Sequence, residues 1–389
     1  MHKRQNPPTS KTRIQQRKKT TTHHDKQRRQ TRTVNVIGFD IGGANTKAAF
    51  ITTKKGSIQK LKTYSEYFPV WKNPEKLKNT LINLTKKLCH STHIDLVTVT
   101  MTAELADAYR TKREGVNHIL TQVEKTFPTA TTRVLDVEAK LRTVPEARAE
   151  PLKVASANWA ATGWMISQLK TNCIIVDVGS TTTSIIPIVE KAIKAEGKTD
   201  LEKLVNGELV YTGSLRTNVA ATVNTVPTSK GVAQVSSEVF AQSADVHLIL
   251  GNITEKEYTV ETADGKEKTR NAALARLAHV VCADTEMLTE KEIMGIAQYV
   301  YERQVEQITE ALRRVCNRIN KNGAKKPAAV VTGMGRNFLA RKAATQAGFV
   351  EVIDFAELAK GDIARVSTAF AVALMGASIL ERRIIRWMQ

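Results

Sequence analysis

The sequence predicts a two-lobed α/β protein with a ligand-binding cleft between its lobes. Residues 33–51 (TVNVIGFDIGGANTKAAFI) have the pattern of a strand, a glycine turn and a second strand, with Asp40 after the first apolar run. Residues 172–189 (NCIIVDVGSTTTSIIPIV) repeat this pattern around Asp177. Residues 328–339 (AAVVTGMGRNFL) then predict a buried strand, two glycines and the start of a helix.

The first stretch has the features of a phosphate-binding turn. Gly42 and Gly43 have no Cβ atoms, so the amide groups of the turn can approach an anion closely. Asp40 stands where a carboxylate could hold Mg²⁺, directly or through water, because Mg²⁺ prefers a few carboxylate oxygens together with phosphates and water. Taken alone, the pattern fits an ordinary hairpin with a glycine turn equally well.

The second stretch strengthens the phosphate interpretation. Asp177 and Gly179 stand in the same arrangement, and a run of hydroxyl side chains follows over residues 180–184. Two such hairpins predict the two halves of one cleft, each providing amides, hydroxyls and one carboxylate. The later glycine pair is a weak signal, and it fails the dinucleotide fingerprint because Phe338 stands where the third glycine belongs. The sequence contains no G-x-x-x-x-G-K-[ST] loop, which excludes a Walker-type site.

The length of 389 residues favours two domains with a large core, but residues 1–33 differ from the rest. They hold 11 Lys and Arg against one acid, Asp25, and so carry +10 of the total charge of +20. Such a composition predicts a disordered basic tail. A tail without a role, or an artefact of an upstream start codon, is favoured over an arm for nucleic acid or an anionic surface. No apolar core follows the basic residues, so a signal peptide is not expected.

The cysteines and the apolar runs predict a cytoplasmic protein without membrane contact. Cys89, Cys173, Cys282 and Cys316 are scattered, without C-x-x-C motifs or paired histidines. Cys173 and Cys282 lie in apolar runs, which predicts buried free thiols in a reducing cytoplasm rather than disulfides or a zinc site. The most apolar run, residues 366–380, is too short to span a bilayer.

The segment after the first hairpin predicts a helix and a buried strand. Asn73 and Pro74 have the pattern of a helix start, with a cap and a first-turn proline. Residues 94–100 are almost continuously apolar or β-branched, which is typical of a strand covered on both faces. Glu104 and Asp107 follow and should face the cleft if this strand is parallel. The alternative is a solvated helix start whose acids complement the helix dipole.

The middle of the chain offers four further features. Residues 155–166 (ASANWAATGWMI) predict a helix that crosses closely between the lobes, or a plain core helix. The charged residues 190–203 predict a surface excursion. Arg216 and Arg270 are the arginines expected to meet a substrate phosphate or carboxylate, with surface salt bridges as the default alternative. Asp284 lies among apolar residues and is expected to be either capped or functional.

Two helices are predicted near the end of the chain. Thr289 and Glu292 form a capping-box pattern that opens a long helix. Gly323 and Pro327 are expected to end it. Residues 364–388 predict a terminal helix whose alanines and glycine permit close packing.

The three loops, in this order, resemble the acetate and sugar kinase, Hsp70 and actin superfamily over residues 34–389. Within it, the chain resembles a hydantoinase/oxoprolinase-like family of archaea and methylotrophs, the synthases of methanofuran biosynthesis in tetrahydromethanopterin-linked one-carbon metabolism. The motifs that carry this resemblance together are FDIGGANTKAAF, TMTAELADAY, VDVGSTTTSIIPI, YTGSLRTNV, SSEVFAQSADVHLILG, ARLAHVVCADTEML and VVTGMGRN.

The resemblance implies a two-lobed actin-like, or ribonuclease H-like, ATPase fold in which each lobe is a mixed sheet flanked by helices. It assigns residues 34–165 to the first lobe and residues 166–362 to the second. Residues 363–389 would return to the first lobe as a terminal helix. In the superfamily the two hairpins grip nucleotide phosphates, and the late glycine turn touches the adenosine.

The resemblance also implies a transferase that joins a furanmethanol diphosphate to the phenol of γ-glutamyltyramine and releases pyrophosphate in the presence of Mg²⁺. The catalytic candidates are Asp40, Lys47, Glu104, Asp107 and Asp177, of which Asp40 and Asp177 are also the metal candidates. Glu104 or Asp107 is the candidate base for the phenol, whose unperturbed pKa is about 10. The candidates for phosphate or nucleotide binding are Gly42, Gly43, Asn45, Thr46, Gly179, Ser180, Thr181, Thr182, Thr183, Arg216, Gly333, Gly335, Arg336 and Asn337.

Two other functions remain open at the level of the sequence. An ATP-dependent small-molecule kinase, or a hydantoinase/oxoprolinase-like ATPase of the same fold, would explain the late glycine turn. ATP is therefore a second candidate ligand besides Mg²⁺. A non-catalytic binding module like actin or Hsp70 would use the basic tail to contact nucleic acid, with affinity that weakens steeply with salt.

Overall fold

The computed structural model describes residues 33–90, 92–320, 326–359, 363–364 and 366–388. The predicted basic tail lies outside these residues, apart from Thr33. The strands are β1 (Val34–Ile41), β2 (Asn45–Lys54), β3 (Ser57–Tyr67), β4 (Leu96–Met101), β5 (Thr132–Leu135), β6 (Leu141–Thr143), β7 (Cys173–Val178), β8 (Thr183–Val189), β9 (Ala192–Ile193), β10 (Leu209–Val210), β11 (Thr225–Thr228), β12 (Gly231–Gln234), β13 (Ala328–Gly333) and β14 (Val352–Asp354). The α-helices are Leu77–Cys89, Lys112–Thr126, Val144–Ala149, Pro151–Val154, Asn158–Ser167, Asp200–Asn206, Val219–Thr222, Ser243–Ile249, Arg270–His279, Glu290–Ile319, Arg341–Gln346, Phe355–Leu358 and Ser367–Glu381. Short 3₁₀ turns occupy Pro74–Lys76 and Ala103–Leu105, and a π-helical turn occupies Arg336–Ala340.

The first sheet has the strand order β3-β2-β1-β4-β5-β6. β4 pairs in parallel with β1 and β5, and it is buried along its whole length, as predicted for a strand covered on both faces. The helices Leu77–Cys89 and Lys112–Thr126 pack on one face of this sheet through apolar stripes. Asn73 makes no side-chain cap, so the predicted capping role is wrong; a 3₁₀ turn at Pro74–Lys76 precedes the helix instead.

The second sheet has the order β10-β8-β7-β13-β14, with β9 added beside β8. β13 lies parallel to both β7 and β14. The long helix Glu290–Ile319 covers one face, and its predicted capping box between Thr289 and Glu292 is confirmed. Residues 219–300 contribute a further, mainly helical core beside this sheet.

Two helices lie between the sheets and join them in one apolar core. Asn158–Ser167 contacts β8 and β9 of the second sheet as well as β5 of the first, which confirms the predicted crossing between the lobes. Ser367–Glu381 packs on β1, β2 and β4. Its approach is close because a Cβ atom on Gly38 would lie 2.2 Å from the carbonyl oxygen of Ala369. Two mixed sheets flanked by helices are the predicted actin-like architecture.

Four expectations about individual segments have clear outcomes. Cys282 is exposed, so its predicted burial is wrong; it lies in a turn after the helix Arg270–His279, with φ of 56°. Cys89, Cys173 and Cys316 are buried free thiols. Asp284 is capped, because its side chain accepts hydrogen bonds from the amides of residues 286 and 287. Among the described helices, none combines the length and the apolarity that crossing a membrane requires.

Candidate functional site

The first hairpin places a carboxylate and an ammonium group side by side at the end of β1. Asp40 is opposite Lys47 in the antiparallel pairing of β1 with β2, and Lys47 Nζ lies 3.9 Å from Asp40 Oδ2. The hydroxyl of Thr368, at the start of the terminal helix, donates to the same carboxylate oxygen. The other oxygen, Asp40 Oδ1, is buried and has no hydrogen-bond partner among the described residues. One carboxylate oxygen is thus held in place, while the other has no partner among the described residues.

The second hairpin reproduces the backbone of the first. The Gly42 amide donates to the carbonyl of Asn45 at 3.0 Å, and the Gly179 amide donates to the carbonyl of Thr182 at 2.9 Å. The two glycines stand at the same distance along the chain from Asp40 and Asp177, so the two turns have matching residues. The structure therefore contains the pair of aspartate-tipped glycine turns that the sequence predicts.

The charged groups of the two hairpins influence one another across the lobes. Burial raises the pKa of Asp177, the nearby charge of Lys47 opposes that shift, and the charge of Asp40 adds to it. Such mutual effects require short separations, because screening by water and salt removes them over longer ones. Asp40, Lys47 and Asp177 are therefore close enough for their charges to act on one another.

Two of the turn glycines leave open space where a ligand could approach the backbone. Among the described residues, a Cβ atom on Gly43 would have no neighbour within 4 Å, and one on Gly179 would meet only the carbonyl of Thr182 at 3.5 Å. Packing within the protein therefore does not require glycine at either position. By contrast, a Cβ atom on Gly42 would lie 2.8 Å from the carbonyl of Asn45, so this glycine is needed by the turn itself.

The second hairpin is braced by residues 213–216. The amides of Leu215 and Arg216 both donate to the carbonyl of Ser180 at 2.9 Å. The Arg216 side chain is exposed and reaches across to the first lobe, where its guanidinium lies 4.9 Å from the centre of the Trp71 ring. Arg216 is thus a cation at the edge of the site. Arg270, the other candidate, forms a surface pair with Glu290 at 2.6 Å, as its default alternative predicts.

The late glycine turn packs directly on the second hairpin. The Gly335 amide donates to the carbonyl of Val178 at 3.0 Å. Gly333 has a φ of 86°, and a Cβ atom there would lie 2.6 Å from Asp177 Oδ1. Arg336 is bonded to Asp354 with its Nε 3.2 Å from the carboxylate, whereas Asn337 is exposed.

The remaining turn residues divide into two groups. Asn45, Ser180, Thr181 and Thr182 are partly exposed at the tips of the hairpins. Thr46 and Thr183 are buried, and the Thr183 hydroxyl donates to the carbonyl of Thr212. Asp40 pairs with Lys47, so the neighbouring Thr46 side chain lies on the other face of the sheet. On β8, Asp177 pairs with Ser184, so the Thr183 side chain also lies on the other face. The side chains of Thr46 and Thr183 therefore lie on the face of each sheet opposite Asp40 and Asp177, and their predicted role in phosphate binding stays a prediction.

Glu104 and Asp107 follow the parallel strand β4 but have different environments. Glu104 is fully buried, and burial raises its pKa to about 7 against the opposing effects of Ser156 and Lys112. Its side chain contacts other protein groups rather than open solvent, so it is not placed to touch a substrate in this structure. Asp107 is exposed.

Comparison with known proteins identifies the family. A hydantoinase/oxoprolinase family model matches residues 95–374. The (4-{4-[2-(gamma-L-glutamylamino)ethyl]phenoxymethyl}furan-2-yl)methanamine synthase of Methanocaldococcus jannaschii is 40% identical over 350 residues, which are 90% of this chain and 99% of that protein. The chain belongs to the hydantoinase/oxoprolinase family and to the family of this synthase.

Two further matches agree with that assignment. A protein of the same name from Methanococcus vannielii is 36% identical over 217 residues, or 55% of this chain and 95% of that protein. A nucleotide-free structure of acetone carboxylase, a protein of ATP-dependent acetone carboxylation, has a TM-score of 0.54 at 9% identity. It aligns over 88% of this chain and 70% of that chain, which supports the fold alone.

Sequence reasoning missed a group of polar residues at the junction of the lobes in this family member. Residues 190–203 are not simply a surface excursion, because Lys203 is buried and Asp200 contacts the first lobe. The ammonium of Lys203 lies 3.8 Å from the centre of the Trp159 ring. Its charge also lowers the pKa of Asp177 against the larger effect of burial. No periodic pattern marks these residues, and the tryptophan in the helix between the lobes was the only available hint.

Proposed function

We propose that this chain forms the aryl ether in the compound for which its two relatives are named, by joining a furanmethanol diphosphate to the phenol of γ-glutamyltyramine. The identity of 40% over 90% of the chain and 99% of the first relative is the observation that carries this proposal. The enzyme is then a transferase whose leaving group is pyrophosphate. Its substrates are small molecules.

The site suits a diphosphate because its two glycine turns offer backbone amides and Lys47 offers a positive charge. The open positions at Gly43 and Gly179 allow phosphate oxygens to reach the backbone. Lys47 stands beside both aspartates, and Arg216 adds a second cation at the rim. Positioned donors of this kind stabilise the charge that develops on a leaving group.

Asp40 and Asp177 fit a role as ligands of Mg²⁺. Asp40 Oδ1 is a buried oxygen without a partner among the described residues, and Asp177 is a half-buried carboxylate on which the charge of Lys47 acts. Within the described ranges, no three or more His, Cys, Asp or Glu side chains form a metal site. The aspartates would therefore hold Mg²⁺ together with phosphate oxygens and water, which is how this ion usually binds. When bound, Mg²⁺ would supply neutralising charge at the diphosphate.

The reaction breaks the bond between the furfuryl methylene and the diphosphate oxygen and forms a bond from that carbon to the phenol oxygen. The electron-rich furan stabilises positive charge on the methylene, so the protein's main task is to hold the leaving group. The phenol must also lose its proton. Asp107 is exposed on the segment after β4, so it is the better placed of the two predicted bases.

The test supplies the furan diphosphate, γ-glutamyltyramine and Mg²⁺ to the purified protein without ATP. We expect the ether to appear by mass spectrometry and one pyrophosphate to be released for each ether formed. Lys47→Met should reduce the rate strongly, whereas Lys54→Met, at an exposed position further along β2, should leave it unchanged. Ether formation that depends on ATP would contradict the proposal.

A second candidate function is an ATP-dependent kinase or ATPase of the same fold. It is favoured by the contact of the late glycine turn with Asp177 and Val178, because this places Gly333–Asn337 beside the predicted phosphate site. Saturable ATP binding and turnover, both lost in Asp177→Asn, would support this function. Ether formation at the full rate without nucleotide would dismiss ATP as a requirement.

We infer a cytoplasmic location for this activity. The three buried cysteines are free thiols, which is typical of proteins in a reducing compartment. Measuring the redox state of these thiols in protein extracted under acid quench provides a check.

A further inference from the structure

Ser156 joins the two lobes through a pair of carboxylates. Its hydroxyl oxygen lies 2.6 Å from Glu104 Oε1 in the first lobe and 2.7 Å from Asp200 Oδ2 in the second. Lys112 Nζ lies 2.6 Å from the same Asp200 oxygen and 3.3 Å from Ser156 Oγ. Ser156 is itself held in the left-handed region at a φ of 51°, where residues other than glycine are strained.

The geometry of these contacts favours an additional hydrogen atom. A serine hydroxyl has one hydrogen and can donate to only one acceptor, whereas an ionised carboxylate only accepts. With both carboxylates ionised, one of the two short oxygen–oxygen contacts would contain no hydrogen and would be repulsive. A proton on one of the two carboxyl groups would give each contact its hydrogen.

The surroundings indicate that Glu104 is the protonated group. Asp200 is paired with Lys112 at 2.6 Å, whereas Glu104 Oε1 is 3.9 Å from the same ammonium. Glu104 Oε2 is also buried without a partner among the described residues, which is costly for an ionised group. The raised pKa of Glu104, caused mainly by burial, agrees with this assignment.

The network connects the segments that present the two aspartates. Glu104 follows β4, whose last residues pair with Asp40 and Ile41 of β1. Asp200 begins the helix that contains Lys203, whose charge acts on Asp177. A change in this network would therefore change how the two hairpins face each other.

We propose that Glu104, Ser156 and Asp200 form a one-proton bridge that positions the two lobes for catalysis, with the proton supplied by Glu104. The catalytic part rests on the proposed function, whereas the proton count does not. Glu104 acts here as a positioning residue and not as the base for the phenol. The charged groups that face the bridge are Lys112, which contacts both carboxylates, and Lys203, which in turn faces Asp177 and Glu208.

The bridge makes lobe closure sensitive to pH. As the pH rises through the pKa of Glu104, about 7, the bridge loses its extra hydrogen and the contact with Ser156 becomes repulsive. The lobes should then separate, and kcat/KM should fall about tenfold for each further pH unit. Glu104→Gln keeps a donor for Ser156 at every pH, so its profile should lack this descending limb.

Infrared difference spectra, recorded between about pH 5 and about pH 9, test the proton count without any substrate. The wild type should show the carbonyl band of a protonated carboxylic acid that disappears at the higher pH, and Glu104→Gln should lose the part of this band that Glu104 contributes. Ser156→Gly removes the hydroxyl while tolerating the left-handed backbone, and should widen the cleft at both pH values in small-angle scattering. Ser167→Ala, which removes a buried hydroxyl bonded to the carbonyl of Trp164, is the matched control and should leave the cleft unchanged.

Different outcomes separate the two levels of the inference. Identical infrared spectra for wild type and Glu104→Gln would overturn the one-proton bridge. The catalytic role of the bridge would be overturned if the wild type showed the infrared band but the wild type and Glu104→Gln had the same descending limb in their pH–rate profiles. If the wild type formed no ether at all, the proposed function would fail, while the infrared and scattering results would still decide the bridge.

Discussion

Replacing Lys203 with methionine is expected to stabilise the folded protein and to weaken its catalysis. Lys203 is 1% exposed, and its ammonium has no hydrogen-bond partner among the described residues. Burial lowers the pKa of Lys203 to about 7, against the opposing charges of Glu208, Asp200 and Asp177. Methionine has a similar shape and needs no hydration, so it removes the cost of burying a charge.

The expected gain follows from linkage. A lysine whose pKa falls from 10.5 in the unfolded chain to about 7 in the folded protein costs about 4 kcal/mol at pH 7, because each pH unit between the two values corresponds to about 1.4 kcal/mol. Loss of the contact with the Trp159 ring offsets about 2 kcal/mol of this. The net stabilisation at pH 7 is therefore about 2 kcal/mol.

The sign of the pH dependence provides the sharper test. The unfolded chain binds more protons than the folded protein between pH 7 and pH 10.5, so wild-type stability should rise with pH across that window. The methionine variant should lack this rise. Urea unfolding with a chelator present, at several pH values, measures both slopes. Lys194→Met, at an exposed position in the same segment, is the control and should match the wild type.

The activity of the Lys203→Met variant should change in the opposite direction. Loss of the nearby positive charge should weaken the attraction for a diphosphate bound beside Asp177. The KM for the furan diphosphate should therefore increase. A variant that is less stable than the wild type by the same amount at every pH would refute the reasoning.

Three further predictions concern the two hairpins. Without Mg²⁺, Asp177→Asn should be more stable than the wild type above about pH 4. The pKa of Asp177 is raised in the folded protein, so the wild type loses stability as the pH rises through that pKa. The activity of the variant should fall more than about 100-fold, and thermal unfolding together with a rate assay checks both expectations. Gly333→Ala should destabilise the protein by more than about 1 kcal/mol, because φ is 86° and the new Cβ atom would lie 2.3 Å from the carbonyl of Val178. By contrast, Gly43→Ala should fold normally and lose diphosphate affinity. Equal melting temperatures for the two variants would contradict this prediction. Arg216→Ala should raise KM with little change in melting temperature, because the side chain is exposed, and an unchanged KM would exclude Arg216 from substrate binding.

The hairpins were predictable because their signals are local. Each is an apolar strand, an aspartate and a glycine turn within about twenty residues, and strand pairing requires little information from elsewhere. The same local rule places the side chains of Thr46 and Thr183 on the face opposite the two aspartates. Side chains alternate along a strand, so the neighbour of Lys47 faces away from the site.

The junction of the lobes was not predictable in the same way. Lysine and aspartate are usually solvated, so the charged residues 190–203 predict a surface segment. The burial of Lys203 and the contact of Asp200 depend on Trp159 and Ser156, which lie some forty positions earlier in the chain. The left-handed backbone at Ser156 also has no sequence signal, because strain of this kind appears only once the surrounding structure is formed.

The most direct test of the shared site is a double-mutant cycle on the affinity for magnesium pyrophosphate, measured by calorimetry. Asp40→Asn and Asp177→Asn are each expected to weaken binding, and the double variant should lose clearly less than the sum of the two single losses, because both carboxylates hold one ligand. Strictly additive losses, or wild-type affinity in either single variant, would contradict a magnesium diphosphate site built from both hairpins.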